Sequence, residues 1–193
     1  MTLIEAATVW VLDKYPYNSR HLTQALVWLD RLAPGSREAV RLATLTHDME
    51  RAVPGPDRPL PARLNDAAYY RAHCERSARI VGAWLREQGA DEPLVRDVES
   101  LVLVHEYGGS PEADLVQAAD SVSFLETNID LFLDFGRAKR YPLPDIDGKF
   151  RWMFDRIRVD AARTHARPLL DRALERLADL ASEMTTGELT PST

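Results

Sequence analysis

The chain has 193 residues, 45% of them hydrophobic, and a formal net charge of −6 at pH 7. That length suits one domain with a sizeable core, and the acidic balance argues against wrapping nucleic acid, which needs clustered Lys and Arg against the phosphates. A lone cysteine, Cys74, excludes an internal disulfide, and the lack of a leader-like pattern or long apolar run leads us to expect a cytoplasmic protein with no membrane association.

Apolar residues recur at three- and four-residue steps almost throughout, and strand patterns are nearly absent, so the expected fold class is all-α. A first helix is expected from about Leu3 to Tyr15, stopping before Pro16, and a second from Ser19 to Ala33, ended by Pro34-Gly35. Ser36 is placed to cap a third helix running to about Ala52. Five prolines or glycines between Val53 and Leu64 (Pro54, Gly55, Pro56, Pro59 and Pro61) dictate a loop. Asn65 is expected to cap a fourth helix ending at Gly89, and Asp91 a fifth reaching His105. Gly108-Gly109-Ser110-Pro111 breaks the chain before a sixth helix to about Phe135, and Pro142 and Pro144 mark another loop. Two further helices fill Asp145 to Met184, so residues 1–184 form the domain and 185–193 a small, polar, flexible tail. Within the last helix, Leu170, Ala173, Leu174, Leu177 and Leu180 make an apolar stripe that caps the domain or pairs two chains as a homodimer.

Four of the five histidines share a property visible by counting. On a helix, residues three, four and seven apart share a face. His21 is followed at those steps by Ala25 and Trp28; His47 is preceded by Ala43 and Val40. His73 leads to Ile80 and, a turn later, Trp84, and His105 follows Val98, Leu101 and Val102. Asp120 lies between Val116 and Phe124, and Asp48 directly follows His47. The four histidines and Asp120 therefore lie on stripes expected to face the core, where each costs several kcal/mol unless paired. A shared divalent metal is one solution, since imidazole and carboxylate suit zinc, iron, manganese and, with more oxygen ligands, magnesium. His165, among Arg163, Arg167 and Asp160, reads instead as a solvated residue.

A His on one helix, a His-Asp pair on the next and an Asp well downstream resemble the HD superfamily of metal-dependent phosphohydrolases, over about residues 15–135. The run His73-Cys74-Glu75-Arg76-Ser77-Ala78 resembles a helix of small bacterial members, as do Leu103-Val104-His105 and Gln117-Ala118-Ala119-Asp120. Two positions depart from that pattern: Ala118, where many relatives carry Asp, and Met49-Glu50-Arg51, where many carry Ile-Gly. The resemblance implies a single-domain HD-type helical bundle in which His21, His47, Asp48 and Asp120 hold one ion (Mn, Zn, Fe, Ni, Co or Mg). In two-metal members His73 and His105 would hold the second ion, with Asp48 bridging.

The implied reaction is attack of metal-bound hydroxide on a small phosphorylated metabolite or nucleotide, with Asp48 as ligand and proton acceptor. Glu50 and Glu106 are the candidates for protonating the leaving group, with His73 or His105 serving if only one metal binds. Arg51, four residues after His47, and Arg76, three after His73, are placed to meet a phosphate, as is Arg20 beside His21. Arg137, Lys139, Arg140, Lys149 and Arg151 lie in and after the loop following the Asp120 helix, either closing over an anionic substrate or forming a solvated loop. The same ordered residues also resemble the diiron oxygenases of the superfamily, and a non-catalytic metal-binding protein is the third reading.

Overall fold

The computed structural model describes residues 1–188, which form nine α-helices and no strand. They are α1 (Leu3–Lys14), α2 (Ser19–Leu32), α3 (Glu38–Thr46), α4 (Ala67–Glu87), α5 (Glu92–Leu103), α6 (Pro111–Thr127), α7 (Ile129–Arg137), α8 (Leu143–Asp155) and α9 (Asp160–Glu188). The expected all-α class holds, and one continuous cluster of buried apolar side chains runs through the bundle. None of the described helices is long and apolar enough to cross a membrane.

The organising element is α6. Ser110 caps it, accepting from the Ala113 N–H at 3.2 Å, and Pro111 sits in its first turn, where a missing N–H costs nothing. Residues 116–125 are buried on every side, so α6 runs through the middle of the bundle, packed against α2, α3, α8 and α9. The remaining helices wrap around it, with α4 and α5 paired as a hairpin against α3. The stripe on α9 is covered within the chain: Leu170, Ala173, Leu177 and Leu180 are buried where that helix lies on α6 to α8.

Several boundaries differ from expectation. The third helix stops at Thr46; Asp48 leaves the helical region (φ −98°, ψ 6°), and Met49–Ala52 forms a short 3-10 turn. Ser36 does not cap α3, since its hydroxyl donates back to Ala33 O at 2.7 Å. The cap of α4 is Asp66, which accepts from the Ala68 and Tyr69 N–H groups, while Asn65 takes a left-handed conformation (φ 58°) that Asn tolerates. The expected sixth helix divides at Asn128 into α6 and α7. Helix α9 continues to Glu188, so 185–188 are helical; residues 189–193 of the expected tail lie outside the described residues.

Candidate metal centre

Five elements deliver the six expected ligands to one place. His21 comes from the first turn of α2, His47 and Asp48 from the end of α3, His73 from α4, His105 from the turn after α5, and Asp120 from the middle of α6. All six are buried: His47, His73 and His105 are 0% exposed, His21 and Asp48 2%, Asp120 4%. Ligand atoms of His21, His47 and Asp48 lie within 4.8 Å of one another, as do those of Asp48, His73 and His105, so each trio could hold a metal ion. The break in α3 after Thr46 lets Asp48 serve both trios, since a continuing helix would carry its side chain round to another face.

The hydrogen bonds behind the rings decide which nitrogen is offered. His47 Nδ1 faces Thr44 O at 2.8 Å and His105 Nδ1 faces Val102 O at 2.7 Å. Both acceptors are carbonyls, so in the neutral ring Nδ1 carries the proton and Nε2 keeps its lone pair. His73 Nδ1 is 2.9 Å from Glu50 Oε2. His21 Nδ1 is 3.1 Å from Ser123 Oγ, whose own proton goes to His21 O at 2.7 Å, so the hydroxyl accepts from the ring. All four imidazoles thus present Nε2 inward, and those of His47, His73 and His105 are buried with no hydrogen-bond partner. Orphaned buried acceptors of this kind are rare and call for an explanation; four orienting partners behind four ligands are the usual support of a metal site.

The two aspartates are arranged alike. Asp120 turns Oδ1 to His21 Nε2 (3.1 Å) and His47 Nε2 (3.4 Å), while Oδ2 pairs with Arg156. Asp48 turns Oδ1 to His73 Nε2 (3.2 Å) and His47 Nε2 (3.9 Å), while Oδ2 pairs with Arg51. Each carboxylate therefore keeps one oxygen for the cluster and fixes the other with a guanidinium. Burial opposes their ionisation, but Arg51 and His47 hold Asp48 well below the usual carboxylate range, and Arg156 and His47 do the same for Asp120. With neutral rings, lone pairs face lone pairs across the cluster, which therefore needs a cation. Protons can serve: burial works against charging His47, yet Asp120 and Asp48 carry its pKa up to about 9. A divalent ion meets the same need and would displace those protons. His105 differs, because burial, reinforced by His47 and His73, outweighs Glu106 and brings it down to about 3.

A cavity of about 370 Å³ opens onto one side of this cluster, with His21, Asp48 and Asp120 in its wall beside Glu106. Arg51, Lys149 and Arg156 face the same space. Burial, opposed by Glu106, brings Lys149 down to about 7; its amine donates to Tyr70 Oη at 2.9 Å and lies over the Trp152 ring. Glu106 stays ionised against its burial because Arg156 pairs with it, at about 2.

Other expected residues lie elsewhere. Glu50 is fully buried behind His73, outside the cavity wall, near Arg76 (3.6 Å). That position suits an orienting group and does not fit protonation of a leaving group in the cavity. Arg76 is also buried, and donates to the carbonyls of Glu50 and Val53 at 3.0 Å, which pins the start of the 53–66 loop. Of the downstream cations, Arg140 and Lys149 reach the cavity; Arg137, Lys139 and Arg151 do not line it, nor does Arg20. His165 is exposed, as expected, against the Trp28 ring.

Sequence reasoning missed Arg156 and Ser123. Arg156 follows Asp120 by 36 positions, and no periodicity links them. Ser123 sits three residues after Asp120 on α6, so a polar residue on the ligand's own face was the available signal. No family model, no curated protein and no solved structure matches the chain.

Proposed function

We propose that this chain is a divalent-metal-dependent phosphohydrolase acting on a small phosphorylated metabolite or nucleotide. The observation that carries the reading is the union of an imidazole–carboxylate cluster with a cavity whose inner wall bears Arg51, Lys149 and Arg156. Cations beside a metal cluster suit a phosphoryl group, whose charge needs several partners.

In this reading His21, His47, Asp48 and Asp120 hold one ion, and His73 and His105, with Asp48 shared, hold a second; Mn, Zn, Fe, Ni, Co and Mg all fit imidazole and carboxylate donors in some proportion. A bound ion supplies a water of lowered pKa and a Lewis acid for the phosphoryl oxygen. The chain's own groups do the rest. Arg51 and Arg156 hold the two carboxylates ionised and add positive charge to the wall. Glu106, ionised and lining the cavity, holds Arg156 in the wall beside the cluster. Lys149, poised near neutral pH on the same wall, is the group best matched to hand a proton to the leaving oxygen. Glu50 and Ser123 fix the rings of His73 and His21.

The sharing of Asp48 between two trios also fits a diiron oxygenase, so the metal matters to the test. Phosphate release from 4-nitrophenyl phosphate and a panel of nucleotide and sugar phosphates, with each metal in turn, is the experiment. The expected result is turnover with at least one metal, lost in Asp48→Ala while circular dichroism shows that variant folded. A wild-type protein that binds an ion yet releases no phosphate from any ester would overturn the reading.

A further inference from the structure

Of the six cations that line the cavity, Arg58 approaches Glu50 Oε1 at 3.9 Å and Lys149 donates to Tyr70 Oη, and the other four fall into two sets with different partners. The inner ones are committed: Arg51 pairs with Asp48, and Arg156 with Asp120 and Glu106. Two arginines at the cavity mouth, Arg63 and Arg140, line the same space, are exposed, and make no ion pair among the described residues. Asp66, three residues from Arg63, spends its oxygens on the N–H groups of Ala62, Ala68 and Tyr69, and the Arg63 charge is the smallest of the influences that lower its pKa. The Arg140 guanidinium carbon lies over two ring faces, 4.6 Å from the Phe135 centroid and 5.6 Å from that of Tyr141. A guanidinium held against aromatic faces spends no N–H donor on that contact.

The backbone next to each arginine is hydrogen-bonded. Helix α7 closes with the Arg140 N–H on Phe135 O and the Lys139 N–H on Gly136 O, each at 2.9 Å, and with Lys139 left-handed at φ 53°. That paired closure is a Schellman ending, which fixes the direction in which Arg140 leaves the helix. On the other side the Asp66 carboxylate ties the chain before and after Arg63, and Asn65 is held by the Tyr70 hydroxyl at 3.1 Å. The wall of the same cavity is apolar at Phe124, Phe132, Leu64 and Met153.

We propose that Arg63 and Arg140 form a second anion subsite, so that the substrate of this cavity carries two anionic groups: one at the metal cluster, one at the mouth, joined by a flat or apolar spacer. The inner group is a phosphoryl group on the phosphohydrolase reading, on which this inference rests; the outer one is a carboxylate or a second phosphate. A sugar phosphate, with a polyol in place of the apolar spacer and no second charge, fits this wall poorly.

Binding rather than turnover tests it. The dissociation constants of phenylphosphonate, 4-carboxyphenylphosphonate and 1,4-phenylenebisphosphonate are measured by calorimetry on the manganese-loaded full chain. In the wild type each doubly anionic probe is expected to bind about fivefold tighter than phenylphosphonate, a gain that shrinks as salt rises. In the Arg63→Ala, Arg140→Ala double variant the three probes are expected to bind with one common affinity. Equal affinities in the wild type, or a gain that survives in the double variant, would overturn the subsite. If phenylphosphonate fails to bind while 4-carboxyphenylphosphonate binds in an arginine-dependent way, the phosphohydrolase reading falls and the mouth subsite stands. If no probe binds, both fall.

Discussion

The two trios share Asp48 and differ in access. In the first, His21 and Asp48 lie in the cavity wall with Asp120 beside them. In the second, His73 and His105 are completely buried and neither lines the cavity. His73 leans on the buried Glu50, and His105 sits between Val102 O and the Cys74 sulfur at 3.5 Å. Catalytic metal sites keep an open position, whereas structural ones are enclosed. The open trio is therefore where a substrate would exchange, and the enclosed one where an ion would stay and fix the shared carboxylate.

That contrast makes variants on the two sides unequal. The largest effect is expected for Asp120→Asn, which removes the carboxylate beside the open trio and leaves Arg156 facing an amide. Turnover should fall at least about a hundredfold at saturating metal, read as kcat/KM, with the melting curve still cooperative. A variant with wild-type kcat/KM would break the assignment of the open group. Glu50→Gln acts on the enclosed side through His73. An amide can still accept from Nδ1 but loses the charge that makes the ring a better donor, so chelator competition should show about 10- to 100-fold weaker metal retention. Equal retention would mean that Glu50 serves only to hold Arg76 and the loop.

The smallest effect concerns the cavity wall without metal. Lys149 falls from its ordinary 10.5 to about 7 through burial, against the pull of Glu106. Between those values the unfolded chain holds one more proton than the folded one, so stability rises with pH across that window. The slope contributed is up to about 1.4 kcal/mol per pH unit, and the full cost of the buried charge is present below pH 7. Urea unfolding of chelator-treated protein should therefore show the wild type gaining stability from pH 7 to 9 relative to Lys149→Met. Parallel pH profiles would show that Lys149 is not desolvated in solution.

Five of the six candidate ligand positions, the four histidines and Asp120, are legible in the sequence because each breaks an apolar helical stripe, whereas Asp48 is legible only by its place directly after His47. What the stripes could not show is how the ligands turn toward one another. The break after Thr46 has no proline or glycine to announce it, and follows from tertiary packing; the same holds for the division of α6 from α7 at Asn128. Arg156 was invisible for a related reason: its partners Asp120 and Glu106 come from another helix and from the turn after α5, so the pairing exists only once α8 lies against α6. Glu50 was legible as a polar residue near the site but not as a buried one, since the 3-10 turn sets which way it faces.

The central claim, two trios that share one carboxylate and could each hold an ion, is tested most directly by counting metal per chain. Elemental analysis of wild type, His21→Ala and Asp48→Ala after metal loading and desalting should give about two ions, about one and none, on the reasoning that the enclosed trio survives without His21 and neither survives without Asp48. Equal metal content in wild type and Asp48→Ala, or no metal in any of the three, would contradict it.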